Sequence, residues 1–233
     1  MKRRTLDIAF SLGGILFAVL LLVVGLILNN QSNFAKTYVT DQLTAQKISF
    51  TPAKFLSEEE AKAACLVKYG TTAGDATKGQ ILDSGKKAEC YANEYIALHM
   101  KESAAGAGYE GATFSTMGAY VRPGTDVSLV DALDKATKAG DQAAIDKAQA
   151  DLDAAKGLRG TLQTGETLRG LLLTTYGFSI FGERAGQAAW VMFAGALLVL
   201  LLSIAGFVHA FASKKADDVI LAVEHHDKEM ANA

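Results

Sequence analysis

The chain has 233 residues, of which 50 % are hydrophobic, and a formal net charge of −2. The apolar residues are concentrated in two uncharged stretches, 8–28 and 188–212, and the segment between them carries nearly equal numbers of basic and acidic residues. Because no block of one charge sign interrupts this balance, the basic surface that nucleic-acid binding needs is missing, and we exclude nucleic acid as a partner.

Each of the two stretches is long enough to cross a bilayer. About 20 helical residues, rising about 1.5 Å each, cover a hydrocarbon core about 30 Å thick. The first stretch follows three basic residues, as a cleavable signal peptide does, but it exceeds the usual length of a signal core and has no small-x-small cleavage pattern. We therefore predict two transmembrane helices, at 8–28 and 188–212.

The flanking charges predict the orientation of these helices. Basic residues resist translocation, and they cluster before the first stretch and directly after the second, at Lys214 and Lys215. Both termini, 1–7 and 213–233, are therefore predicted to be cytoplasmic. The residues 29–187 are then extracytoplasmic, on a two-pass plasma membrane protein.

The extracytoplasmic segment reads as mainly helical, since the chain contains only two prolines and is rich in good helix formers. Its first piece continues the first span to about Leu43, with Phe34 and Tyr38 near one helical face, and precedes an extended segment at 48–52.

Two further helices follow. The first is predicted at 58–69, because Ser57 and Glu60 form the pattern of a capping box and Gly70 follows the last turn. After a loop, a second helix is predicted at 86–103.

A glycine-rich loop, 105–126, is expected to contain at most one turn of helix, near 114–120. It precedes a pair of helices at 127–138 and 142–156, separated by Gly140, with Asp141 as an N-cap. The second of them has a narrow stripe of mostly small residues, which predicts loose packing or packing on another element: Ile145, Ala148, Leu152 and Ala155.

The apolar segment 168–181 is too short to cross a membrane. An interfacial or re-entrant segment and a core helix of the outer domain both fit this pattern. Tyr176, Phe178, Phe181 and Trp190 suit an aromatic belt at the outer headgroup level.

Cys65 and Cys90 are the only cysteines of the chain, and the predicted topology places both in an oxidising compartment. A bond between them would join two helices and close a loop of about 25 residues, which contributes about 3 kcal/mol. Without a C-x-x-C motif or further ligands, redox catalysis and a zinc site are less favoured. We predict a disulfide.

Candidate chemistry is sparse. His99, with Tyr95 and Glu102 one turn away, could serve as a ligand or an acid–base group, but a half-buried structural histidine is favoured. His225 and His226 lie in the predicted tail, where neighbouring side chains point to different sides of a helix. Hydrolase and P-loop motifs are absent from the sequence, so we expect no catalytic residue, metal or cofactor.

Both predicted spans carry small residues four apart, which favour close helix contact: Gly14 and Ala18 in the first, Gly206 and Ala210 in the second. The two spans could pack on each other or on a partner. Ordinary glycine and alanine usage in membrane helices explains these residues as well.

Four segments of the chain resemble a group of uncharacterised actinobacterial two-span membrane proteins: KRRTLDIAFSLGGILFAVLLLVVGLILN, CLVKY, ECYANEYIALHM and ETLRGLLLTTYGFSIFGERA. The resemblance implies the two-span topology and no activity. A ring-opening dioxygenase activity, sometimes attributed to such proteins, needs two histidines near each other for its iron, and 29–187 contains only His99.

The sequence thus predicts a mainly α fold, with two transmembrane helices flanking an extracytoplasmic helical domain that holds one disulfide. We expect a non-catalytic accessory or scaffold protein of the cell envelope, in contact with the lipid bilayer and with a membrane protein partner or a second copy of itself. The alternative is an extracytoplasmic ligand sensor that signals through the spans to the tail. An enzyme is the least favoured class.

Overall fold

The computed structural model describes residues 3–212, which form a mainly helical chain. Its α-helices are α1 (Arg3–Ala45), α2 (Ala64–Tyr69), α3 (Gly85–Cys90), α4 (Ala97–Gly106), α5 (Phe114–Met117), α6 (Leu129–Ala139) and α7 (Gln142–Ala212). A π-helix, Tyr91–Ile96, joins α3 to α4, and two 3-10 turns precede α2, at Ala53–Phe55 and Glu60–Lys62. The predicted tail, 213–233, with His225 and His226, lies outside the described residues.

Within 3–212 no β-strand forms, and two isolated antiparallel bridges connect loops, Ser49 with Ile81 and Thr72 with Asp75. The predicted helix at 86–103 is confirmed as the continuous run from α3 to α4. The helix pair around Gly140 is also confirmed at this junction: Gly140 adopts a left-handed φ of 69°, and Asp141 Oδ1 accepts hydrogen bonds from the first turn of α7.

The prediction that 142–156, 168–181 and 188–212 are three separate segments is wrong. The segments 142–156, 168–181 and 188–212 belong to one helix of 71 residues. This run contains several glycines, but a glycine in a helix costs only about 1 kcal/mol, and no proline interrupts it. A re-entrant loop at 168–181 is therefore not formed.

The helix predicted at 58–69 is also interrupted. The capping box exists, because Ser57 N–H donates to Glu60 Oε2 (2.7 Å) and Glu60 N–H donates to Ser57 Oγ (3.2 Å). Ala63 then adopts an extended conformation (φ −82°, ψ 102°), so the chain turns before α2 begins. The capping box starts a helical turn at Glu60, but the burial of Leu66 and the disulfide at Cys65 determine where α2 lies after it.

The chain divides into two compact units. Residues 1–34 and 181–233, described to 212, form the paired-helix unit, and residues 35–180 form the core unit. Both units draw on α1 and α7.

In the paired-helix unit, small side chains lie at the contact between α1 and α7. A Cβ atom added to Gly14 would lie 2.2 Å from Ser203 Oγ, and one added to Gly206 would lie 2.5 Å from Ser11 Oγ. Ala18 and Ala210 are buried. We predicted that these small residues allow the two helices to pack on each other or on a partner. The structure shows the first arrangement, in which α1 packs on α7.

The large apolar side chains of the same unit point outward, among them Leu16, Leu20, Val191, Leu198 and Leu202. By length and composition, both α1 and α7 qualify as helices that could cross a membrane.

The first core cluster of the core unit gathers residues from α1, α2, α3, the π-helix and α7, together with two loop residues; its members are Val39, Leu43, Phe50, Leu66, Leu82, Ala88, Cys90, Ala92, Ile96 and Leu172. The buried face of α1 therefore contains Val39 and Leu43. Phe34 and Tyr38, predicted on the face of Leu43, are exposed instead. Leu168 and Leu173 pack against this cluster, so 168–181 is a core helix on one of its faces.

A second cluster lies on earlier turns of α7, where Ala155, Leu158 and Leu162 pack with Met117. The glycine-rich loop supplies the cover, through Tyr109, Phe114 and Tyr120 among others. The predicted stripe is thus confirmed at Leu152 and Ala155, and it continues into larger side chains beyond the point where the helix was expected to end.

Candidate functional site

The predicted disulfide is confirmed. Cys65 on α2 is bonded to Cys90 at the end of α3, with a Cα–Cα distance of 6.1 Å and a sequence separation of 25. Cys90 belongs to the first core cluster. The bond therefore fixes α2 beside the point at which the π-helix begins.

The π-helix Tyr91–Ile96 is the most unusual backbone feature of the core unit. Such segments are rare and occur often at functional sites. Here Asn93 Oδ1 accepts a hydrogen bond from an Arg169 guanidinium nitrogen of α7 (3.1 Å), and Ala92 and Ile96 enter the core. The π-helix thus has a visible structural role in joining α3 and α4 to α7.

A row of aromatic rings runs beside the π-helix. Successive ring centroids lie 5.2 Å (Tyr69 to Phe50), 5.5 Å (Phe50 to Tyr91), 4.7 Å (Tyr91 to Tyr95) and 4.3 Å (Tyr95 to His99) apart. Burial, with a smaller contribution from Tyr95, raises the pKa of Tyr91 to about 12. Tyr91 is therefore neutral at physiological pH and acts as a packing group.

His99 ends this row, between two carboxylates. Its Nε2 lies 3.2 Å from Glu60 Oε1, and its Nδ1 lies 3.4 Å from Glu102 Oε2. The Glu60 side chain is buried, and the His99 side chain is 45 % exposed. Burial raises the pKa of Glu60, but the hydrogen bonds from Ser57 and His99 together outweigh it and hold this pKa below its ordinary value.

This cluster is poorly arranged for a metal ion. The two carboxylates contact different nitrogens of one imidazole ring, so a single ion cannot be bound by all three groups. Among residues 3–212, no set of three or more His, Cys, Asp and Glu side chains is placed to hold a metal. Of the groups near His99, sequence spacing indicated Tyr95 and Glu102; Glu60, 39 residues away, was missed, although its place in a capping box marked it as an ordered carboxylate.

A groove of about 610 Å³ lies in the loop before α3. At one side the Lys87 ammonium donates to the Ile81 carbonyl (3.0 Å) and to Asp83 Oδ2 (3.1 Å). Thr72 also lines the groove, and its Oγ1 atom is buried with no hydrogen-bond partner among residues 3–212. No motif in the sequence marks this groove, because most of its lining residues lie in an irregular loop.

The four residues predicted for an aromatic belt have different surroundings. Phe181 and Trp190 are highly exposed, at 76 % and 74 %. Phe178 is exposed and packs edge-on against Tyr38, with ring centroids 6.0 Å apart. The Tyr176 backbone lies close to Gly85 at the start of α3.

No protein-family model, curated protein or solved structure matches this chain. The resemblance to actinobacterial two-span proteins therefore stays a prediction.

Proposed function

We propose that the chain is a non-catalytic accessory or scaffold protein of the cell envelope, anchored in the plasma membrane by two transmembrane helices. One observation carries this proposal: the paired-helix unit buries small residues and exposes large ones. In water the exposed Leu, Val and Phe side chains would form an apolar patch far larger than soluble monomers tolerate. In a bilayer the same surface faces lipid, and small residues at the contact are the usual basis of helix pairing.

Two features support an extracytoplasmic position for 29–187 with both termini in the cytoplasm. Basic residues flank the spans on the side of the termini. The bond between Cys65 and Cys90 suits an oxidising compartment.

The contacts of His99 favour a binding role over catalysis. Both nitrogens of His99 contact carboxylates, and Glu60 is engaged by Ser57 as well, so these side chains act as a link between two segments. Meanwhile Tyr38, Leu171 and Phe178 leave apolar area exposed on the core unit, which is suited to a protein partner.

Co-purification tests this function. The full chain, extracted in mild detergent from its native membrane, is expected to carry a stoichiometric protein partner or a second copy. Phe178→Glu and Leu171→Glu should each lower the recovered partner severalfold, whereas Phe55→Glu, at an exposed phenylalanine of a separate turn, should not. A chain recovered as a lone monomer would count against the scaffold role.

Topology is tested separately by labelling an introduced cysteine. Lys138→Cys places a thiol at a side chain that is 76 % exposed, and the native cysteines are bonded to each other. A membrane-impermeant maleimide should label this variant in intact cells. Labelling only after lysis would show the opposite orientation.

The alternative function, a ligand sensor, is favoured by the groove of about 610 Å³ that Thr72 and Lys87 line, since it is large enough for a small polar ligand. A sensor should purify alone and gain thermal stability with a small polar ligand. Screening the full chain against such ligands, with Thr72→Val as the groove variant, separates this alternative from the scaffold.

A further inference from the structure

A groove of about 300 Å³ runs along the helix contact of the paired-helix unit, near the start of α1 and the end of α7. Small residues of both helices line it, namely Ser11, Gly14 and Ser203, together with the larger Phe10 and Leu202. Asp7 lines it as well, and among the side chains that the structure describes it is the only ionisable one that does.

Asp7 has an unsatisfied carboxylate oxygen. Its Oδ2 atom is buried and has no hydrogen-bond partner within the part of the chain that the structure describes. Burial without a partner is unfavourable for any polar atom and more so for a charged one. Although Ser11 and Ser203 also line the groove, neither hydroxyl donates to Asp7 Oδ2.

The neighbouring described cation is engaged elsewhere. The guanidinium carbon of Arg4 lies 4.7 Å from the ring centroid of Phe211, a cation–π contact between α1 and α7. This contact stabilises the pairing of α1 with α7 near the start of α1 and the end of α7.

We propose that this groove receives a transmembrane helix of a partner protein, and that this helix carries one Lys or Arg opposite Asp7. The inference rests on the proposed function in that it requires α1 and α7 to cross a membrane, and it specifies the chemistry of the partner. Small residues in the groove allow a third backbone to approach closely. Asp7 directly precedes the predicted span 8–28, and a carboxylate at the end of a membrane helix favours a cation on the helix that packs beside it.

Charge complementarity decides between the possible occupants. In a twofold dimer built on this groove, the Asp7 carboxylates of the two copies would approach each other, and like charges at an interface are unfavourable. A lipid acyl chain fills volume but donates no hydrogen bond. A partner helix with a basic residue both fills the groove and donates a hydrogen bond to the Asp7 carboxylate.

The experiment uses the full-length chain, with a donor fluorophore on its N-terminus, in phosphatidylcholine vesicles. The probe is a synthetic Leu/Ala transmembrane peptide with an acceptor and a single Lys two turns from its end; the matched peptide has Leu at that position. Energy transfer is expected to show about tenfold tighter association for the Lys peptide, the scale of a polar contact between membrane helices. Asp7→Asn should reduce the difference to less than about twofold on the same scale.

Two variants complete the design. Leu202→Trp fills the groove from its exposed wall and should weaken binding of the Lys peptide, while Leu26→Ala, at an exposed residue outside the groove, should leave it unchanged. Equal binding of both peptides, or a Lys preference that survives in Asp7→Asn, would overturn the proposal. Resistance of the chain to alkaline extraction from the vesicles is measured in parallel: extraction of the chain refutes the membrane anchor itself, whereas retention without Lys preference refutes only the groove.

Discussion

Glu60 and His99 lie 39 residues apart in sequence, yet Oε1 of the first is 3.2 Å from Nε2 of the second. The contact joins the 3-10 turn before α2 to helix α4. Because Ser57 also donates its N–H to Glu60, one buried carboxylate holds its own turn and a distant helix together. This arrangement makes the stability of the core unit dependent on pH.

Lowering the pH through the titration of Glu60 should destabilise the core unit. The folded-state pKa of Glu60 lies below its ordinary value of 4.5, so ionised Glu60 favours the fold. This contribution is present above the unfolded-state pKa and is lost as pH falls through the folded-state pKa. Glu60→Gln should therefore cost about 1–2 kcal/mol of unfolding free energy at neutral pH, and less in acid.

Urea unfolding of the full chain in detergent, followed by circular dichroism, measures this difference between about pH 5 and pH 3, an interval below the ordinary titration of histidine. Glu102→Gln, at a half-exposed carboxylate, is the control and should change little over the interval. A cost of Glu60→Gln that stays constant from pH 5 to pH 3 contradicts the assigned role.

Removal of the disulfide should lower the unfolding free energy of the core unit by about 3 kcal/mol, the scale expected for a loop of this length. Cys65→Ser with Cys90→Ser, compared with the oxidised and the reduced native chain, gives the value in urea. Reduced native protein and the double variant should agree. If oxidised and reduced protein unfold at the same urea concentration, the bond does not constrain the unfolded chain as expected.

Neighbouring leucines of α7 should respond in opposite ways to truncation. Leu172 is 2 % exposed in the first core cluster, and Leu171 is 62 % exposed. Leu172→Ala leaves a cavity and should cost about 3 kcal/mol, whereas Leu171→Ala should stay within about 0.5 kcal/mol. Similar urea midpoints for the two variants would mean that 168–181 does not pack on the core.

Two glycines allow an equally direct comparison. A Cβ atom at Gly79 would lie 1.8 Å from the carbonyl oxygen of Phe50, so Gly79→Ala should force the backbone apart at a cost of about 3 kcal/mol. Gly160, within α7, has no atom within 4 Å of its added Cβ. Gly160→Ala should therefore stabilise the chain by about 0.5–1 kcal/mol, as alanine does in a helix interior. Thermal unfolding of the two variants measures both signs, and a stable Gly79→Ala variant would refute the close approach.

Much of the local structure followed from sequence pattern. The two apolar stretches, the helix pair at Gly140, the run from α3 to α4 and the pairing of Cys65 with Cys90 were all predictable. Each depends on residues close in sequence or on a residue type with few alternatives, as two cysteines have only each other. Local free-energy preferences are strong enough to decide such features.

Only the tertiary structure decided which of the local helix and break signals in the sequence are realised. It continues α7 through its glycines, because the core clusters on Leu158, Leu162 and Leu172 compensate for a weak helix propensity. It interrupts the well-capped helix at Ala63 and joins Glu60 to His99 across 39 residues. These outcomes depend on contacts between distant segments, whose free energies exceed the local preferences of about 1 kcal/mol or less that a sequence pattern expresses.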